Sequence, residues 1–379
     1  MDETQPKNHH YLLIGFSLVL LLIAGAFFWQ NFLEKKIFSY KAHNKQAYEQ
    51  KLKEANSAHD SGDYAKAVDY YSQLLGDTTN PLSKVKIKAK LANDIVHGVF
   101  TDVDSVTRAI AIQKSIISDP SVDSPSKALV LNEMANLIKE ANVSSLFIQK
   151  NFSEDIYTTL PSILSIESTD SNEDISRDFA IRLHEYSDKI YPNAFAKLAI
   201  AYYLSGYIYH ASLNKAITDT EIKTIQDKMK KYLNDSQPLL TGLEYEPPQI
   251  VKMYLRRAIA TQSLYTRTKQ TSYEEVKKNY EDAISVGAKY NDSFSVSNTV
   301  LAVIYYGYFV DSTKKGTSGE VQNILQKIFD NPLKNDQVVK NMILNRVSLD
   351  GYERRAILGL AVGYPNFKKY LEDIGWKLK

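Results

Sequence analysis

The sequence predicts an all-α domain over 46–379 that follows one N-terminal transmembrane helix. Three observations carry this. From Ser39 onward, apolar residues recur at intervals of three and four, and sustained strand-type alternation is missing. Helix-start chemistry punctuates the same region. And Tyr11 to Leu33, "YLLIGFSLVLLLIAGAFFWQNFL", contains no Asp, Glu, Lys or Arg.

Taken in order, 1–10 is a short polar tail and 11–33 is the membrane span. A helix of that length rises about 34 Å, enough for a hydrocarbon core of about 30 Å. Tyr11 at one end and Phe27, Phe28, Trp29 and Phe32 at the other resemble interfacial aromatic belts, closed by Lys35 and Lys36. "AGA", Ala24 to Ala26, has the small-x-small form of a signal-peptidase site, but the apolar run continues past it, so the uncleaved anchor is the preferred reading. A basic juxtamembrane linker follows over 34–45. Lys35, Lys36, Lys41 and Lys45 against Lys7 favour a cytoplasmic C-terminal side by the positive-inside rule. Large domains translocate regardless of such charges, and the reading leans to an extracytoplasmic domain.

Within 46–379 the caps predict the helices. Ser124 reads as an N-cap with Pro125 at the first helical position. Thr218 with Glu221, and Ser272 with Glu275, read as capping boxes. Breaks fall at "SDPSVDSP", "STDSN", "EYEPP" and "KKGTSG". About a dozen helices joined by short loops are expected.

Composition narrows the partners. With 46 basic and 44 acidic residues the formal charge is +2, which argues against nucleic acid as a partner on bulk electrostatics. There is no cysteine, which excludes disulfides, thiolate metal sites and a cysteine nucleophile. The 26 tyrosines fall often beside alanine at helical spacing, as helix interfaces require.

In "AYEQKLKEANSAHDSGDYAKAVDYYSQLL", Ala55 and Ala58 lie on one helix, Gly62 makes the turn, and Tyr64, Ala67, Tyr71 and Leu74 follow on the next. This hairpin, 47–76, resembles a tetratricopeptide (TPR) repeat, which places small residues in its first helix and Gly-Asp-Tyr at the turn. Two fragments are similar to half-repeats. "FAKLAIAYYLSGYIYHA" supplies Phe195, Leu198, Ala199, Tyr202, a turn at Gly206 and then Ala211. "YEEVKKNYEDAI" supplies Tyr273, Val276, Tyr280 and Ala283. The resemblance implies an irregular TPR-like α-solenoid of antiparallel helix pairs. It further implies a groove lined in the first hairpin by Glu49, Leu52, Asn56, His59 and Asp60, open to a protein or peptide partner. Leu52 stands where many such domains place a peptide-clamping lysine.

No catalytic pattern stands out. The seven histidines form no HExxH pair. Asp170, Asn172 and Asp174 begin like a calcium loop, but Ile175 takes the glycine position and Ile181 the glutamate position. They read instead as acids at a helix start. "KKGTSGE" lacks P-loop order. The pairs Arg256–Arg257 and Arg354–Arg355 spread over their helix faces; phosphate or carboxylate binding stays open, with a solvated face or intramolecular ion pairs as the usual outcome. The sequence therefore predicts no cofactor, no metal and no enzyme activity. It predicts a membrane-anchored adaptor binding protein or peptide, with an envelope-acting α-helical hydrolase or lyase and a small-ligand module as alternatives.

Overall fold

The computed structural model describes residues 46–59, 61–78, 81–96, 102–153, 155–162, 164, 170–214, 218–240, 245–348 and 352–376. The tail, the apolar run at 11–33 and the linker lie outside the described residues, as does Asp60. The described residues form sixteen α-helices, two short 3-10 turns and no strand. The helices are α1 (46–59), α2 (Tyr64–Asp77), α3 (Pro81–Val96), α4 (Val103–Ile117), α5 (Ser124–Ala141), α6 (Ser145–Phe152), α7 (Asn172–Ile190) and α8 (Ala194–Asn214). They continue as α9 (Asp219–Ser236), α10 (Pro247–Thr268), α11 (Tyr273–Gly287), α12 (Ser293–Thr313), α13 (Ser318–Phe329), α14 (Gln337–Ser348), α15 (Tyr352–Gly363) and α16 (Pro365–Asp373). Two compact units, 1–55 and 56–379, divide inside α1; the packing below concerns the second.

The helices are of two kinds. α2, α9 and α13 each bury one stripe, for example Val321, Ile324, Leu325 and Ile328 on α13, and leave the other face polar. α8 and α12 are apolar nearly all round and are core helices. Among the described residues, α12 is the helix long and apolar enough to cross a membrane, yet most of it is buried within the fold, as in the core of a soluble domain.

Contacts follow a simple order. Most helices pack on the next in sequence, and a second set links α8 with α10, α10 with α12 and α12 with α14. Side chains fix the pairings. Tyr71 on α2 donates its hydroxyl to Asn56 Oδ1 at 2.7 Å. Between α5 and α7, Ser187 donates to the Ala128 carbonyl at 2.8 Å, while Ser176 donates to Asn142 Oδ1 at 3.3 Å. Between α11 and α12, Tyr280 stacks on Tyr306 at 5.7 Å, Tyr273 on Phe309 at 5.1 Å, and Gly287 faces Thr299. A Cβ at Gly287 would fall 2.0 Å from Thr299 Oγ1, so this close approach needs glycine.

The residues expected to form the repeat cores are placed as follows. Ala55, Ala58, Ala67, Tyr71, Phe195, Leu198, Ala199, Val276, Tyr280 and Ala283 are buried, and Tyr64, Tyr202 and Tyr273 half-buried. Gly62 has φ +79°, a left-handed turn position suited to glycine.

Four local expectations are corrected. Gly206 is not a turn: α8 runs unbroken from Ala194 to Asn214, because the apolar pattern continues on both sides of it, and the Arg177 guanidinium lies 3.7 Å from where a Cβ would stand. The N-cap of α5 is Asp123, whose carboxylate accepts from Ser126 N at 2.8 Å, so Ser124 and Pro125 lie inside the first turn. Ser272 caps α11 by accepting from Glu275 N at 3.1 Å, but the Glu275 carboxylate takes the Thr271 hydroxyl, so no reciprocal box forms. Helices also outnumber the expected dozen, since short ones such as α6 and α16 escape a periodicity reading. The box at Thr218 and Glu221 is complete.

Candidate functional site

The strongest concentration of chemistry lies where α5, α8, α10, α12, α14 and α15 converge. Helical spacing presents it. On α5, Glu133, Asn136 and Glu140 fall at intervals of three and four, with Lys139 beside them. On α10, Gln249, Lys252 and Arg256 do the same. Cross-helix bonds hold the two stripes together: Gln249 Nε2 donates to Glu133 Oε1 at 2.8 Å, and Arg256 Nη2 donates to Asn136 Oδ1 at 2.7 Å. Tyr203 of α8 donates to the same Asn136 oxygen at 3.1 Å.

Arg256 is the unusual member. It is only 3% exposed, and its guanidinium lies over the rings of Phe195, Tyr202 and Tyr203 at 4.9, 5.7 and 5.5 Å. The sequence reading placed it on a solvated face or in an ion pair, and the structure corrects this: no carboxylate pairs with it among the described residues, and Nη1 has no hydrogen-bond partner. Its position explains the burial, because Arg256 shares a helix face with the fully buried Met253 and Ala260.

Around it stand three cations that keep solvent contact. Lys139 faces Glu173 at 3.6 Å, Lys252 faces Glu140 at 3.8 Å, and Arg346 faces Glu353 at 3.9 Å, with 21, 31 and 33% of their side-chain surface exposed. These are long pairs. Elsewhere Arg177 meets Glu173 at 2.6 Å and Lys197 meets Asp188 at 2.5 Å. Desolvation first, and Arg177 second, lower the Lys139 pKa; desolvation and then Arg256 lower that of Lys252. Burial works against the charge on Arg346, but Tyr305 and Glu353 hold its pKa above the ordinary value. Burial, reinforced by Glu353, pushes the Tyr202 hydroxyl up to about 12. Each lysine is enclosed enough to lose solvation yet keeps part of its surface open to water, and the cluster carries both signs of charge beside Tyr202.

The groove expected from the first hairpin is placed as follows. Glu49 is exposed and Leu52 half-buried. Asn56 accepts from Tyr71 and, at 3.1 Å, from Lys90, while His59 is bonded to Asp94 at 2.6 Å and lies 5.0 Å from the Phe294 ring. The structure thus engages Asn56 and His59 with neighbouring helices. A hollow of about 240 Å³ lined by Lys84, Lys88, Ile116, Asp119 and Val122 holds no buried unpartnered group. Among the described residues, no three His, Cys, Asp or Glu side chains are grouped as a metal would need.

No protein-family model matches the chain, and no match is found among curated proteins. Function therefore rests on the residues themselves. Sequence reasoning missed Lys139, Lys252 and Arg346, which lie far apart in the chain. The one local signal was Arg256, an arginine in register with buried apolar positions.

Proposed function

We propose that the chain is a single-pass, N-terminally anchored membrane protein whose helical domain is an irregular TPR-like solenoid that binds a protein or peptide. The mixed-polarity recess of Lys139, Glu140, Lys252, Arg346 and Glu353 beside Tyr202 carries this reading. Acids there face cations, as suits recognition of a peptide that bears both signs, and a hydrolytic pair is not distinguished. The array is supported by residue pairings that advance in opposite directions along neighbouring helices: Ala128 with Ser187 and Asn142 with Ser176, Tyr273 with Phe309 and Gly287 with Thr299. The links α8 to α10 to α12 to α14 supply the stacking of successive pairs. The apolar run from Tyr11 to Leu33 supplies the anchor, which confines a captured partner to the bilayer surface and raises its effective concentration there. The domain lies outside the cytoplasm in this reading.

Cross-linking followed by pull-down of the full-length chain from its native membranes tests the adaptor. Recurrent protein partners are the expected result, and their absence together with turnover of an envelope glycan overturns it. Protease treatment of intact cells tests orientation: digestion of the helical domain is expected, and protection reverses the placement.

A further inference from the structure

Among the described residues, the buried Arg177 has the carboxylates of Glu173 and Asp174, and the buried Asp178 has Arg182 at 2.6 Å. Arg256, equally buried, has only neutral partners: the Asn136 oxygen at 2.7 Å and the Tyr203 hydroxyl at 3.4 Å. An ion taken out of water without a counter-charge is destabilising. A guanidinium presents a fork that a carboxylate matches. The half-buried cations Lys139, Lys252 and Arg346 stand in the same electrostatic neighbourhood, each 3.6 Å or more from its acid, a spacing that leaves room to shift toward a new anion. Tyr202 borders both groups, since its half-buried ring lies over the Arg256 guanidinium while Arg346, Glu353 and Glu140 act on its hydroxyl.

We propose that Arg256, with Lys252, Lys139 and Arg346 around it, is the receptor for a carboxylate carried by a peptide ligand, and that the Tyr202 ring turns aside to admit it. The proposal rests on reading this recess as a peptide-binding surface. Glu140 and Glu353 select the ligand class. They repel a dianionic phosphate more strongly than a monoanionic carboxylate, and they accept the amide or ammonium donors that accompany a carboxylate in a peptide.

The test uses the full-length chain in detergent micelles with three probes: the peptide acetyl-Gly-Glu-Gly-amide, its Gln counterpart, and inorganic phosphate. Thermal unfolding and calorimetry are expected to show binding of the Glu peptide and about tenfold weaker binding of the Gln peptide, the loss of one charge-assisted hydrogen bond. Arg256→Met is expected to abolish that preference without lowering the melting temperature of the free chain, because Asn136 keeps its bond from Tyr203. Should Arg256→Met fail to fold, Lys252→Met and Arg346→Met, at solvent-accessible positions, are each expected to weaken the Glu peptide severalfold. Equal affinity for the Glu and Gln peptides, an unchanged preference in these variants, or tighter binding of phosphate overturns the carboxylate site. Partner capture from membranes is scored separately on the same Arg256→Met chain, so the adaptor reading can survive the loss of this site.

Discussion

His184 should give this fold a measurable acid sensitivity. The residue is fully buried on α7, and Asn132 decides its tautomer. Asn132 donates its amide to Asn193 Oδ1 at 3.0 Å, which leaves Asn132 Oδ1 to accept from His184 Nδ1 at 2.8 Å. The proton therefore sits on Nδ1, and Nε2 is a buried lone pair without a partner. Desolvation first, then the charges of Arg256 and Lys252, lower the pKa well below 6.5. Stability is complete above the unfolded-state value near 6.5 and drains away as pH falls below it, because the unfolded chain takes up a proton that the native ring refuses. Between pH 8 and pH 5 this removes about 2 kcal/mol. His184→Gln cannot titrate: it should be less stable at pH 8 by about 1–3 kcal/mol through the disturbed Asn132 bond, but lack this slope. Urea unfolding of both full-length proteins in micelles at pH 5, 6, 7 and 8 checks it. Their stabilities should converge by about 2 kcal/mol toward pH 5. Parallel pH profiles, or a His184 ring that titrates near 6.5 in the native state, would refute the burial argument.

Three further substitutions test the packing by urea unfolding. Gly287→Ala drives a methyl into Thr299 and should cost about 1–3 kcal/mol. Gly206→Ala, inside a continuous helix and at ordinary contact distance from Arg177, should stabilise by up to about 1 kcal/mol, whereas a true turn position would be destabilised. Thr218→Ala removes the half of the α9 capping box in which the Thr218 hydroxyl accepts from Glu221 N, leaves the bond from Thr218 N to the Glu221 carboxylate, and should cost about 1 kcal/mol.

The all-α class was legible because burial obeys the helical period, as in Val321, Ile324, Leu325 and Ile328 of α13. Caps were legible where one side chain had no rival, as at Thr218. At α5, Asp123 and Ser124 are both competent caps, and geometry chose the aspartate. Gly206 misled because glycine often marks a turn; here it lies inside a continuous helix at ordinary contact distance from Arg177, and the apolar pattern on both sides carries α8 through it. The charged cluster was hidden for a topological reason. Lys139, Lys252 and Arg346 belong to three helices, and no local spacing foretells that α5, α10 and α14 bring them together. Of the first hairpin's expected groove residues, Asn56 and His59 bond to α2 and α3, pairings across intervals that a two-helix motif only partly describes.

Capture of a partner tests the central claim most directly. Photo-cross-linking from position 202 of the full-length chain in its native membranes should yield a recurrent protein or peptide adduct. That adduct should weaken when Lys252 or Arg346 is replaced by Met. A Tyr202-position probe that labels only lipid and water-derived products, with the same yield in every variant, would contradict the account of this recess as a binding surface.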